Sequence, residues 1–202
     1  MEWWVQSNEE PGWLPVAIWA GIIVVAIVVY YVRRRGERKQ LMRLAEELGG
    51  ELINRFLRGA YLSLHKEEPE RRVRLTPRTR YSPPFLIVES LAPLGFRLRV
   101  DAKVPWYKRQ TIFLDRLKKF SPGDPTFDQA YLARTDDPMR AQAWLNDQRH
   151  RGALDNLFQN GFTILIADQK TVQLKMPNYK EIDLSAAKVR DYLAQLQQLA
   201  AP

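Results

Sequence analysis

Apolar and polar positions alternate along most of this chain, but not near its start. From Trp13 to Val32 the sequence WLPVAIWAGIIVVAIVVYYV runs for twenty residues without a charge. At ~1.5 Å rise per residue a helix of that length reaches about 30 Å, the hydrocarbon thickness of a bilayer. The pattern predicts a transmembrane helix, since in lipid a backbone satisfies its hydrogen bonds only internally. A cleaved signal peptide would need a basic start, a shorter apolar core and a small-x-small cleavage site. Here the start carries Glu2, Glu9 and Glu10, and Tyr30-Tyr31-Val32 is bulky. A buried core helix is disfavoured by hydrophobicity on every face.

Beyond residue 40 the periods change. Leu41, Leu44, Ala45 and Leu48 fall on one face of a short helix that Gly49-Gly50 stops. An apolar stretch follows at Leu52 to Leu57. Tyr61 to Lys66 and Arg72 to Thr76 read as a strand pair around a Glu67–Glu70 turn. Phe85 to Glu89 and Phe96 to Val100 continue the strand pattern, the second with clean alternation of apolar and basic residues. Val104 to Phe120 is less regular. Phe127 to Arg134 reads as a strand, and Asp137-Pro138 as a helix start with Asp137 as the N-cap. That helix is expected to bend at Arg151-Gly152 and end at Asn160-Gly161. Thr163–Ala167 and Thr171–Met176 form a hairpin around Asp168-Gln169-Lys170, and Ala186, Val189, Tyr192, Leu193, Leu196 and Leu199 line a last helix.

The expected fold class is α+β: one N-terminal transmembrane helix followed by a mostly antiparallel sheet with helices packed on one face. The expected organisation is a short extracytoplasmic tail at 1–12, the transmembrane helix at 13–32, a basic juxtamembrane segment at 33–40 and a cytoplasmic α+β domain at 41–202. Strand order is not readable.

Charge adds orientation. Arg33, Arg34, Arg35, Arg38 and Lys39 crowd one end of the apolar run, and basic residues are held on the cytoplasmic side. The implied location is the inner membrane, N-terminus outside. The net charge of +8 is carried by residues 33–60 at +4 and 61–120 at +8, against −3 before the run and −1 over 121–202. Arg72, Arg74, Arg97 and Arg99, on alternating strands, offer a basic face suited to an anionic lipid surface or to plain solvent. Residues 103–119 mix Lys and Arg with aromatics, which suits a membrane surface or a single-stranded nucleic acid, but more often such a mixture is core aromatics beside solvated charge.

Candidate chemistry is sparse. There is no cysteine, and only His65 and His150 are present. That excludes disulfides, thiolate zinc sites and a cysteine nucleophile. No G-x-S-x-G elbow, S-x-x-K pair or glycine-rich phosphate loop occurs. A metal or hydrolytic site would have to draw on Asp124, Asp128, Asp136, Asp137, Asp147 and His150. Helix capping and turns account for most of these without further assumption. Ala17-x-x-x-Gly21 is a small-residue pair of the kind that brings helices together.

The pieces Gly123-Asp124-Pro125-Thr126-Phe127-Asp128-Gln129-Ala130-Tyr131, Asp136-Asp137-Pro138, Ala143…Leu145…Leu154…Leu157, Thr163–Ala167 and Val172–Leu174 resemble an uncharacterised bacterial family of membrane-anchored proteins. The match is strongest over residues 121–176, about a third of the chain. The resemblance implies a cytoplasmic α+β domain and no catalytic residues. The chain departs from the family pattern in its long basic region over 97–119.

Together these readings predict a non-enzyme without cofactor or metal, acting as a protein-interaction or scaffold module. The expected partners are a lipid bilayer and another membrane or cytoplasmic protein. Anionic lipid headgroups, read by the basic strands, are the alternative. A metal-dependent hydrolase on the Asp124–Asp147 region ranks below both, and nucleic acid last.

Overall fold

A computed structural model describes residues 13–55, 59–65, 69–79, 82–103 and 117–201. The chain divides into two compact units, Met1–Gly36 and Glu37–Pro202. The first helix, α1, spans Leu14–Leu48, and the basic run at 33–39 is helical.

No helix among the described residues is long and apolar enough to cross a membrane. The expected transmembrane helix at 13–32, and with it the description as a single-pass membrane protein, is withdrawn. The orientation drawn from the flanking charges rested on the span and goes no further. Val16, Ile18, Trp19, Ile22 and Val25 are exposed.

Among the described residues the second unit has nine strands: β1 (Glu51–Arg55), β2 (Gly59–Leu64), β3 (Arg71–Thr76), β4 (Phe85–Ser90), β5 (Leu98–Ala102), β6 (Lys118–Phe120), β7 (Tyr131–Thr135), β8 (Ile164–Ala167) and β9 (Val172–Pro177). They form one sheet in the order β1-β2-β3-β4-β9-β8-β5-β7-β6. Every pairing is antiparallel. The first four strands form a meander, and the β8–β9 hairpin is inserted between β4 and β5. The helices are α2 (Pro125–Ala130), α3 (Pro138–Asn146), α4 (Gln148–Gln159) and α5 (Ala186–Leu199).

Register decides where the core lies, because side chains alternate across a sheet. Leu62, Val73, Leu86, Leu98, Leu165 and Leu174 share one face and are buried completely or nearly so. They join one cluster with Leu41 and Leu44 of α1, Phe127 of α2, Trp144 of α3, Leu154 of α4 and Tyr192 and Leu196 of α5. The helices thus lie on one face, as the pattern predicts. Tyr61 and Ile87 are also buried, but they point to the opposite face and stand outside that cluster.

Local departures from the expected elements have identifiable causes. Residues 125–130 are a helix, not the start of a strand. Asp124 caps it by accepting from the Thr126 and Phe127 amides at 2.8 and 3.3 Å, and Pro125 opens it. The strand begins only at Tyr131. The long helix after Asp137 breaks at Asp147, which caps α4 by accepting from the Arg149 amide, rather than at Gly152. Ala167 pairs with Val172, so the hairpin loop holds four residues rather than three, closed by Asp168 accepting from the Lys170 and Thr171 amides. The expected basic and aromatic stretch at 103–119 falls mostly on residues 104–116, which lie outside the described residues.

Candidate binding surface

The face of the sheet opposite the helices is the most distinctive polar surface of the second unit. Register fixes its composition. One row of neighbours reads Ile53, Tyr61, Arg74, Ile87, Lys175, Ile164, Asp101, Leu132. The adjacent row reads Glu51, Ser63, Arg72, Glu89, Gln173, Ile166, Arg99, Arg134, Lys119. Aliphatic side chains and cations are interleaved, and Arg72, Arg74, Lys175, Arg99, Arg134 and Lys119 outnumber Glu51, Glu89 and Asp101.

The rim of this face is internally paired. Arg72 donates to Glu70 at 2.9 Å and lies over the Tyr61 ring, 5.1 Å from its centroid. Its guanidinium holds the Glu70 carboxyl below the usual carboxylate range. Arg99 donates to both carboxylate oxygens of Asp101, at 3.1 and 2.9 Å. Both partners of that pair are largely shielded from solvent, which makes the contact stronger than an ordinary surface pair.

Toward the centre the balance shifts. Lys175 of β9 is partly buried between Ile87 and Ile164 in its row. Burial depresses its affinity for a proton, and the Arg74 and Arg99 guanidinium groups lower it further. Glu89 and Asp101 act in the opposite direction. Glu89 accepts from Gln173 at 3.3 Å, and Asp101 is committed to Arg99. Arg74 Nε and Arg134 Nη1 are buried without a hydrogen-bond partner among the described residues.

The residues expected from sequence to carry the basic face are thus placed in different settings. Arg72, Arg74 and Arg99 do share one face. Arg97 precedes β5 and is held by Asp136, with its amide and its Nε each donating at 2.8 Å. Of the basic run at 33–39, Arg35, Arg38 and Lys39 are exposed on α1, and the side chains of Arg33 and Arg34 lie outside the described residues. Lys175 and Arg134 were not anticipated. The alternation Val172-Gln173-Leu174-Lys175-Met176 marks Lys175 as facing away from the core, but only the strand order brings it between Arg74 and Arg99.

The carboxylates weighed as a metal or hydrolytic site are dispersed by their capping roles. Asp124 and Asp147 cap α2 and α4, and Asp137 caps α3 by accepting from the Arg140 amide at 3.1 Å. Asp136 is paired with Arg97, and Asp128 accepts from Ser121. His150 is buried, stacked on Trp144 at 4.6 Å, with Nδ1 3.1 Å from the Trp144 carbonyl oxygen. Among the described residues no three His, Asp or Glu side chains are grouped to hold a metal ion.

Ser63, His65 and Glu70 also gather on the far side of the sheet. The Ser63 hydroxyl donates to Glu70 at 2.5 Å and lies 3.2 Å from His65 Nδ1. With its proton directed at a carboxylate and no exposed surface, this serine is a structural link and not an activated nucleophile.

No family model matches the chain, and no curated protein sequence matches it. Among solved structures, the chain is similar to the crystal structure of the mycobacterial trehalose monomycolate transport factor A, TtfA. The TM-score is 0.56 at 9% sequence identity, covering 82% of this chain and 93% of that one. At that identity the likeness concerns the fold alone.

Proposed function

We propose that the α+β unit is a protein-interaction module, working by binding and not by catalysis, with the face of its sheet opposite the described helices as the contact surface. The observation that carries this reading is the interleaving of the part-buried Ile53, Ile164, Ile166 and Leu132 with an excess of cations on that face. Aliphatic side chains supply area to bury, and the cations select the partner by charge. The partner is accordingly a protein with an acidic surface segment. The engagement of Asp124, Asp136, Asp137 and Asp147 in caps and ion pairs, and of Asp128 with Ser121, favours the binding reading over a hydrolase. A fold shared with a protein named a transport factor is compatible with a binding role and adds no more than that.

The test is affinity capture by the full chain, comparing the wild type with Arg74→Glu/Lys175→Glu and with a control, Arg149→Glu, on the exposed end of α4. The proposal expects a partner with an acidic surface that is lost in the double variant and kept in the control. Capture that survives reversal of the sheet-face charges would overturn it. So would turnover of a substrate by the purified protein. Salt-sensitive binding to anionic vesicles without a protein partner would move the reading to a lipid surface.

A further inference from the structure

The centre of that face carries a more specific inference, which rests on the reading above. Arg74 and Lys175 stand in one row on either side of Ile87, with β3 and β9 each one strand, about 5 Å, from β4. Arg99 approaches the same ammonium from β5. Arg74 Nε is buried and has no hydrogen-bond acceptor among the described residues. Of the two carboxylates that act on Lys175, Asp101 is paired with Arg99, while Glu89 accepts from the neutral Gln173 amide and keeps its charge. Among the described residues Arg74, Lys175 and Arg99 thus outnumber Glu89 and Asp101 by one charge.

We propose that Arg74 and Lys175 form a subsite for a single oxyanion, the side-chain carboxylate of an acidic residue presented by the partner protein. Arg74, part-buried as a residue, supplies its guanidinium charge through the outer nitrogens, and Lys175 supplies a point charge that rotates to meet the second oxygen. Ile87 and Ile164 exclude water on both sides of the ammonium, which strengthens the contact. A bound carboxylate relieves the repulsion among Lys175, Arg74 and Arg99 that burial enforces. A phosphate oxygen has the same acceptor chemistry, so the test separates the two sources.

The full chain, kept in a mild non-ionic detergent because apolar side chains of α1 are exposed, is titrated with an oligoglutamate peptide at ionic strength fixed with sodium chloride. Inorganic phosphate and phosphatidylglycerol vesicles are titrated in parallel. The subsite predicts saturable peptide binding that weakens about tenfold or more in Arg74→Gln and in Lys175→Met. Lys170→Gln, in the exposed hairpin loop, binds as the wild type does. Circular dichroism of each variant confirms that the fold is kept. Equal peptide affinity in all four proteins, or no saturable binding to any, overturns the subsite. Vesicles or phosphate that bind while the peptide does not overturn the assignment to a carboxylate. The two proposals fail separately. Partner capture that persists in Lys175→Met removes the subsite and leaves the module, whereas peptide binding without any captured partner removes the module and leaves the subsite.

Discussion

Lys175 holds a charge where its surroundings oppose one. Burial, then Arg74 and Arg99, lower its proton affinity below that of a free lysine. The unfolded chain keeps the proton up to about pH 10.5, so the unfolded state binds more protons between the lowered folded value and that pH. Stability therefore rises with pH across that window, and the penalty is fully present below it. Lys175→Met removes the penalty while keeping the aliphatic stem. The variant is expected to have a higher urea midpoint than wild type at pH 7, with the gap closing as pH approaches 10.5. A midpoint that falls at pH 7 would show that the ammonium is stabilised by its neighbours. Packing at the other extreme is set by Gly50. A Cβ there would meet Leu62 and Leu64 side-chain carbons at 2.5 and 2.7 Å and the Ser63 carbonyl oxygen at 2.9 Å. The carbonyl cannot move aside, so Gly50→Ala is expected to destabilise by about 1–3 kcal/mol in chemical denaturation.

At the scale of the element, much of the fold is legible because caps and periods are local. Asp137-Pro138 announces α3, and the alternation of Val172 to Met176 announces β9. The misses share one cause: a signal read for its commoner meaning. Asp124-Pro125 reads as a turn but caps a helix of its own. Arg151-Gly152 reads as a break, yet the break falls at Asp147, where a carboxylate accepts from one backbone and two side-chain donors of Arg149. Those bonds, led by the Arg149 side chain, hold the Asp147 carboxyl at about 2. The cap should therefore be intact above pH 3.8 and lost only as pH falls through about 2, which a carboxyl-specific NMR titration reads directly. Asp137 has no such guanidinium clamp of comparable closeness, its Arg140 contact being 3.4 Å. Asp137→Ala is expected to cost about 1 kcal/mol through the lost cap, read from the urea midpoint.

The whole molecule is where sequence stops. Period tells which side chains share a face of one strand, but not which strands are neighbours. Arg74, Lys175 and Arg99 are far apart in sequence and meet only because the β8–β9 hairpin enters between β4 and β5. The basic character of Arg72, Arg74 and Arg99 on the opposite face could be anticipated, whereas their juxtaposition with Lys175 and Arg134 could not. The same global view corrects the start of the chain. An apolar composition at 13–32 reads as a span, while no helix among the described residues is long and apolar enough to cross a membrane. Leu174 lies at the middle of the covered face, completely buried. Leu174→Ala is expected to destabilise the unit by about 2–5 kcal/mol, seen as an earlier unfolding midpoint.

The central claim is that the face of the sheet opposite the described helices is the contact surface. The most direct measurement is site-specific photo-crosslinking of the full chain in cells. A photoreactive residue is placed at Ile166 on that face, or at Met139, exposed on α3. The account predicts a discrete adduct with an acidic protein from position 166, abolished by Arg74→Glu/Lys175→Glu, and none from position 139. Adducts from position 139 alone, or adducts from position 166 that survive the charge reversal, would contradict it.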